Sequence, residues 1–285
     1  MPLEPPIAVP ARLADAYALL ASAPHQPIAG GTDLMVRITG EIGEPPERLL
    51  DVSKLRELEG IGIEAGALVI GARATYTDIR RSALCREHLP ALVDAAATIG
   101  AAQIQNRGTL GGNIANASPA GDMLPILLAT DASIVLGSGR GERVVPAAEF
   151  FTAYRETALA DDELILRIRI PLPPGRETRF RKVGTRRAQA ISKVVMAVSW
   201  RDHGSSAGWS DVRVALGSVA PTPIRAAATE AILEGRRPSP EVADQAAETL
   251  AAELSPIDDV RSTATYRRTV AARVLHRILR DAGGW

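Results

Sequence analysis

Between Pro10 and Ala23 the apolar residues Leu13, Ala14, Tyr17, Ala18 and Leu20 recur at helical spacing, and Pro24 stops the run. Pro27-Ile28-Ala29 then reads as the end of a strand, Gly30-Gly31-Thr32-Asp33 as a tight turn with exposed backbone amides, and Leu34 to Ile38 as the helix that the turn opens. Leu49 to Val52 and Ala67 to Ala72 are short apolar runs of the kind that form strands, the second apolar on both faces. Thr77 to Ser82 and Leu89 to Ile99 are predicted helices, the latter with Leu92, Ala95, Ala96 and Ile99 on one stripe. Gly100 to Gly108 is expected to be loop or extended chain, and Pro119 to Thr130 a helix with Pro125 in its first turns. Ala132 to Leu136 is a predicted strand followed by a turn at Gly137 and Gly139, and Leu164 to Ile170 alternates apolar residues with Arg167 and Arg169, as a strand with one wet face does.

Pro171-Leu172-Pro173-Pro174-Gly175 breaks the pattern and marks a domain boundary. Beyond it, Ile191 to Trp200 and Val212 to Val219 are predicted strands with a sharp turn at Gly204-Ser205-Ser206, and Ala226 to Leu233, Glu241 to Leu254 and Thr265 to Leu279 are predicted helices. That order suggests a strand meander covered on one face by helices, a small α+β domain. A length of 285 residues suits two compact units, and 46% hydrophobic with 23% charged residues is the composition of a folded globular protein. Lys plus Arg and Asp plus Glu both number 33, so no net field attracts nucleic acid. Cys85 is the only cysteine, which excludes an intrachain disulfide, a zinc site built on several thiolates and an iron–sulfur cluster held by this chain alone. The N-terminus lacks a basic start followed by an apolar core, and no stretch approaches the ~20 apolar residues of a membrane span, so a cytoplasmic protein without a membrane span is expected.

The chemistry of the chain is concentrated in two glycine-rich turns, Ala29-Gly30-Gly31-Thr32-Asp33-Leu34 and the stretch from Gly108 to Asp122. Closely spaced N–H groups beside small side chains are what a pyrophosphate needs, because several amides must reach its oxygens with no Cβ in the way. Neither turn is a Rossmann fingerprint or a P-loop, so a diphosphate would be held mainly by neutral donors. An ordinary strand-to-helix connection accounts for the first turn about equally well. The second is harder to dismiss, with Asn113, Asn116, Ser118 and Asp122 interleaved among small residues in what reads as a long loop. His25, His88, His203 and His276 share no ligand spacing and read as surface or helix-end residues, Cys85 as a small helix residue, Tyr154 as a packing aromatic, and Arg186-Arg187 as a solvated face.

Together the two turns resemble those of the FAD-binding (medium) subunit of the molybdenum hydroxylases, the family of carbon monoxide, nicotinate and xanthine dehydrogenases. That family carries an Ala-Gly-Gly-x-x-Leu turn and a Thr-x-Gly-Gly-Asn-x-x-x-x-Ser-Pro-x-x-Asp stretch, both present here in order. Asp162-Glu163-Leu164-Ile165, the run from Lys182 to Ile191, Ala215 to Pro223 and Tyr266-Arg267-Arg268 extend the resemblance over essentially the whole chain. The resemblance implies an α+β protein: a two-lobed FAD-binding domain of the vanillyl-alcohol-oxidase/PCMH type over residues 1–174, with lobes of about 1–53 and 54–174, then a small α+β domain of the CO-dehydrogenase flavoprotein type over 175–285, an antiparallel sheet with helices. It implies FAD held non-covalently between the lobes. Diphosphate contacts would come from Ala29, Gly30, Gly31, Thr32, Asp33 and the adjoining Leu34, and from Thr109, Gly111 and Gly112. Asn113 would brace the loop, Asp122 would accept from a ribityl hydroxyl or orient donors, Ile165 would pack on the isoalloxazine, and Lys182 would approach its pyrimidine edge, where Arg181 and Arg186 offer competing charge. No catalytic residue and no metal ligand is implied.

The function implied is that of an electron-transferring oxidoreductase subunit. Its flavin would receive electrons from an iron–sulfur small subunit and deliver them to an external acceptor, while substrate is hydroxylated on a molybdopterin-binding large subunit. A self-sufficient FAD-dependent oxidase or reductase of the same flavin fold, and a binding module whose glycine turns are purely structural, are the competing readings. The first of these needs an acid or base beside the flavin, and the sequence offers no His or Cys arrangement for one.

Overall fold

The computed structural model describes residues 5–186, 189–202 and 208–285; His203, the predicted turn at Gly204–Ser206 and Arg187 lie outside the described residues. The chain opens with β1 (Ile7–Ala8), α1 (Leu13–Ser22), β2 (Gln26–Ile28), α2 (Leu34–Thr39) and β3 (Leu49–Asp51), whose strands form a small parallel sheet in the order β1-β3-β2. Ala16 and Leu20 of α1 pack on Leu50, Val52, Leu55 and Leu58, and this small core is completed by Leu164 and Leu166 from far along the chain.

Next come β4 (Ile61–Glu64), β5 (Ala67–Gly71), α3 (Tyr76–Arg81), α4 (Ala83–His88), α5 (Pro90–Thr98), α6 (Ala102–Gln105), α7 (Leu110–Asn116), α8 (Leu124–Ala129), β6 (Ser133–Ser138), β7 (Gly141–Pro146), α9 (Ala147–Phe150), β8 (Phe151–Ala153), β9 (Glu156–Thr157) and β10 (Leu164–Pro171). Five of these strands make an antiparallel sheet in the order β4-β5-β10-β6-β7. The central strand β10 carries an irregularity between Ile165 and Arg167, and the extra residue re-phases its alternation. Leu164 and Leu166 therefore face the first core, whereas Ile165, Ile168 and Ile170 face the second.

Two stretches expected as loop are helical. Residues 102–105 form α6, and the glycine-rich run contains α7. Two adjacent glycines argue against a helix on propensity alone, but tertiary contacts decide here. Thr109 caps α7 by accepting from the Gly112 amide at 3.0 Å, Leu110 and Ile114 are fully buried one turn apart, and a Cβ on Gly111 would stand 2.7 Å from Ala72. Conversely α8 is shorter than the predicted Pro119–Thr130 helix, with Pro125 in its first turn, where a missing N–H costs nothing.

The C-terminal part consists of β11 (Arg176–Val183), β12 (Val194–Arg201), β13 (Ser210–Gly217), β14 (Ile224–Arg225), α10 (Ala227–Leu233), α11 (Pro240–Glu253) and α12 (Ala264–Gly283), its strands an antiparallel meander in chain order. Val194, Met196, Val198 and Trp200 meet Leu233, Leu250, Leu275 and Leu279 of the helices on one face, and Trp200 stacks on Trp209 with ring centroids 4.1 Å apart. The other face is also covered, contrary to expectation. Phe180, Val195, Ala197 and Ala215 join the core of the five-stranded unit, with α5 against β11 and α8 against β12 and β13. At the rim of this junction Asp131 receives Arg213 at 3.1 Å, Arg176 at 3.4 Å and Arg225 at 3.6 Å. Among the described residues no helix is long and apolar enough to cross a membrane.

Candidate functional site: an interdomain cleft

A cleft of about 1190 Å³ opens where the three sheets' connections meet. Its walls include Thr32 and Asp33 of the first turn, Tyr76, Asn113 and Asn116 of the middle unit, and Lys182, Ser192, Ser218 and Arg267 of the C-terminal unit. The cleft expected between two lobes thus has a third wall.

The first glycine turn is shaped by β2, which ends when Val52 donates to the Ile28 carbonyl at 3.0 Å. Gly31 then takes φ +73°, a conformation glycine adopts without strain, and the chain enters α2. Gly30 needs its missing Cβ for a different reason: a side chain there would overlap the Arg107 carbonyl. Arg107 in turn donates to the Gly30 carbonyl at 3.1 Å, so the two turns are in direct contact. The amides of Gly30, Gly31, Thr32 and Asp33 donate to no acceptor among the described residues. A run of consecutive free N–H groups is an anion cradle.

The second turn does different work. Gly111 donates to Ala72 at 2.8 Å, Leu110 to Ala74 at 2.9 Å and Asn113 to the Thr109 carbonyl at 3.0 Å, while the Gly112 amide is held by Thr109 Oγ1. The Gly111 and Gly112 amides, expected to face a diphosphate, are therefore engaged inside the protein, and neither residue has a positive φ. These residues fix α7, which presents Asn113 and Asn116 to the cleft. Asn113 Oδ1 is buried without a partner, an acceptor left for a ligand donor. Asn116 donates to Asp33 at 3.0 Å and accepts from Arg155 at 2.9 Å, which ties the first turn to the β8–β9 hairpin. Burial pushes the Asp33 carboxyl up from its ordinary value, and Arg155 draws it back.

Asp122 and Lys182, expected at separate points along a flavin, meet in a buried ion pair of 2.5 Å, and both line the cleft. Lys182 Nζ also donates to the Thr98 carbonyl at 3.2 Å, and Ser192 Oγ donates to the other oxygen of Asp122. Desolvation pushes the Asp122 carboxyl up, countered by the Lys182 charge and by both donors. Arg181 and Arg186 do not line the cleft; Arg186 binds the Gln189 carbonyl. Ile165 sits in β10, 7% exposed and packed in the main core away from the cleft lining, Leu34 begins α2 half-buried, and Ala29 packs on the first core.

Several cleft residues escaped the sequence reading. Tyr76 is one, although the Thr75-x-x-Asp78 capping box that starts α3 was a visible signal for its place. Ser192 and Arg155 gave no signal, since the first acts through Asp122 and the second lies in a hairpin at φ +58°. Tyr154, read as a packing aromatic, is 62% exposed at the cleft rim. Cys85 is buried in α4, as a structural helix residue is.

The donor set suits a flavin dinucleotide: free amides for phosphate, an unpaired carbonyl oxygen for a hydroxyl, and Ile99, Ile104, Ile191 and Ile257 for an apolar ring. Comparison with known proteins agrees. The family model for the FAD binding domain in molybdopterin dehydrogenase matches residues 4–173, and that for the CO dehydrogenase flavoprotein C-terminal domain matches residues 179–282. The carbon monoxide dehydrogenase medium chain of Hydrogenophaga pseudoflava is 33% identical over 90% of this chain and 88% of its own length. The xanthine dehydrogenase FAD-binding subunit of Escherichia coli O157:H7 is 32% identical over 96% of both chains. A solved structure of carbon monoxide dehydrogenase from H. pseudoflava superposes with a TM-score of 0.93 at 32% identity, covering 100% of this chain and 99% of that one. Quinoline 2-oxidoreductase from Pseudomonas putida 86 gives 0.92 at 26% identity, covering 99% and 97%.

Proposed function

From the premise that the chain belongs to the FAD-binding subunits of the molybdopterin dehydrogenases, we propose that it is the electron relay of a heteromeric molybdenum hydroxylase, drawing electrons from iron–sulfur clusters on a small partner and passing them to an external acceptor. Substrate oxidation belongs to a molybdopterin-binding large partner. The observation that carries this reading is a division of equipment: the cleft offers donors for a dinucleotide, whereas the single cysteine is buried and no group of His, Cys, Asp or Glu able to hold a metal occurs among the described residues. When bound, FAD supplies the exchange between two-electron and one-electron chemistry that a relay needs.

The residues take the following roles in this proposal. The turn from Ala29 to Leu34 holds the diphosphate through its free amides. Thr109, Gly111 and Gly112 fix α7 so that Asn113 accepts a hydrogen bond from the ribityl chain. Asp122 and Lys182 share the polar wall, with the lysine cation at the pyrimidine edge, where it favours an electron-rich reduced ring. Ile165 lies in the main core, outside the cleft lining. Residues 1–174 form the flavin domain and 175–285 the domain that closes the third wall. The test is purification of the native assembly, expected to contain FAD, iron and molybdenum on three kinds of chain. Bleaching of the flavin in the isolated, FAD-loaded chain by xanthine, nicotinate, carbon monoxide or glyceraldehyde under anaerobic conditions would overturn the relay and favour a self-sufficient flavoenzyme.

A further inference from the structure

Tyr76 stands at the first position of α3, only 4% exposed, yet it lines the cleft. Its ring occupies the space left by Gly108, where a Cβ would lie 2.7 Å from Tyr76 Cε2 and 3.3 Å from Thr32 Oγ1. Its amide donates to the Gly108 carbonyl at 3.2 Å. The phenol is thus wedged beside the turn whose amides are free, at the point where both glycine-rich segments touch.

The polar end of this side chain is left for a partner. The nearby Asn113 side chain draws the phenol pKa down, an effect smaller than that of burial. Asn113 Oδ1 has no partner, so it does not receive the phenol proton. No other acceptor for that proton exists among the described residues. Burial, with Asp33 and Asp122 nearby, pushes the phenol pKa well above its ordinary value. The group therefore keeps its proton throughout the physiological range, a neutral donor between two carboxylates that would otherwise repel an anion.

Resting on the FAD reading above, we propose that the Tyr76 hydroxyl is a cofactor-binding group that donates its hydrogen bond to an oxygen of the diphosphate–ribityl segment of FAD. The residue acts from beneath the first turn, adding one side-chain donor to the backbone amides of Gly30 to Asp33. No covalent step is involved.

The experiment is a titration of the full apo-chain with FAD by flavin fluorescence, for wild type, Tyr76→Phe and Tyr76→Leu, with the melting temperature of each apo-protein recorded alongside. A hydrogen bond to a charged or strongly polar oxygen predicts that Tyr76→Phe raises Kd about tenfold, that Tyr76→Leu raises it at least as much, and that the Tyr76→Phe apo-protein melts as wild type does. Wild-type affinity in Tyr76→Phe, whatever Tyr76→Leu does, would show that only the ring matters and would overturn the proposal while leaving the FAD assignment intact. Failure of the wild-type chain to bind FAD would overturn that assignment and the proposal with it.

Discussion

At the scale of single residues, the pair Asp122–Lys182 shows how a charged position in a cleft wall can be stable only because its partner is there. Asp122 is buried and Lys182 largely so, and each would be costly alone: removal of one partner from a buried ion pair leaves the other charge uncompensated, at a cost of about 3–5 kcal/mol. Asp122→Asn is accordingly expected to lower the unfolding free energy of the apo-protein by that order, as is Lys182→Met. The double substitution should recover most of the loss, because neither desolvated charge remains. Urea denaturation of the four proteins closes the cycle, and additive losses would show that the pair is not coupled. The sequence disclosed Asp122 and Lys182 as separate points of interest, through motif and family resemblance. It did not disclose that they touch, because they lie 60 residues apart and their meeting depends on how β11 docks against α5. Ser192, which completes the cluster, had no local pattern to betray it.

At the scale of elements, α7 separates two uses of glycine that sequence alone merges. Gly111 is required by packing, since a Cβ would press on Ala72 at 2.7 Å from its Cβ and its backbone oxygen alike, in the layer beneath the five-stranded sheet. Gly112 is exposed, and a Cβ there would meet only Thr109 Oγ1, at 2.9 Å, the atom that caps the helix. Gly111→Ala should therefore lower the apo melting temperature markedly, through backbone displacement. Gly112→Ala should cost no more than the loss of a helix cap, about 1 kcal/mol, and show its effect chiefly as weaker FAD binding. Equal melting temperatures for the two variants would refute this division. The motif stood out in the sequence, but its helix did not: two glycines depress helix propensity, and the compensating burial of Leu110 and Ile114 is a tertiary fact. The same limit applies at β10, whose alternation was visible while the irregularity that redirects Ile165 to the main core was not.

At the scale of the whole molecule, the two-faced burial of the C-terminal sheet makes the domains mutually dependent. Val195, Ala197 and Ala215 belong to the same core as α5 and α8, and the Asp131 carboxylate binds arginines from three strands of that sheet. The break at Pro171–Gly175 showed where the chain changes character, yet a meander with one dry face was the simplest sequence reading, because nothing local reveals what covers the second face. With that interface apolar and continuous, the apo-protein is expected to melt in one cooperative transition. A cofactor seated between the walls should raise that single transition as a unit, by about 2.7 kcal/mol of added stability when free FAD stands at a hundred times its Kd. None of the cleft-lining residues is a His or Cys that could attach the flavin covalently, so acid precipitation of the loaded chain should leave all the yellow colour in solution. The measurement pairs calorimetry with and without FAD and absorbance of the acid supernatant. Two separate transitions, of which FAD shifts only one, would refute the shared cleft, and colour retained on the precipitate would refute non-covalent binding.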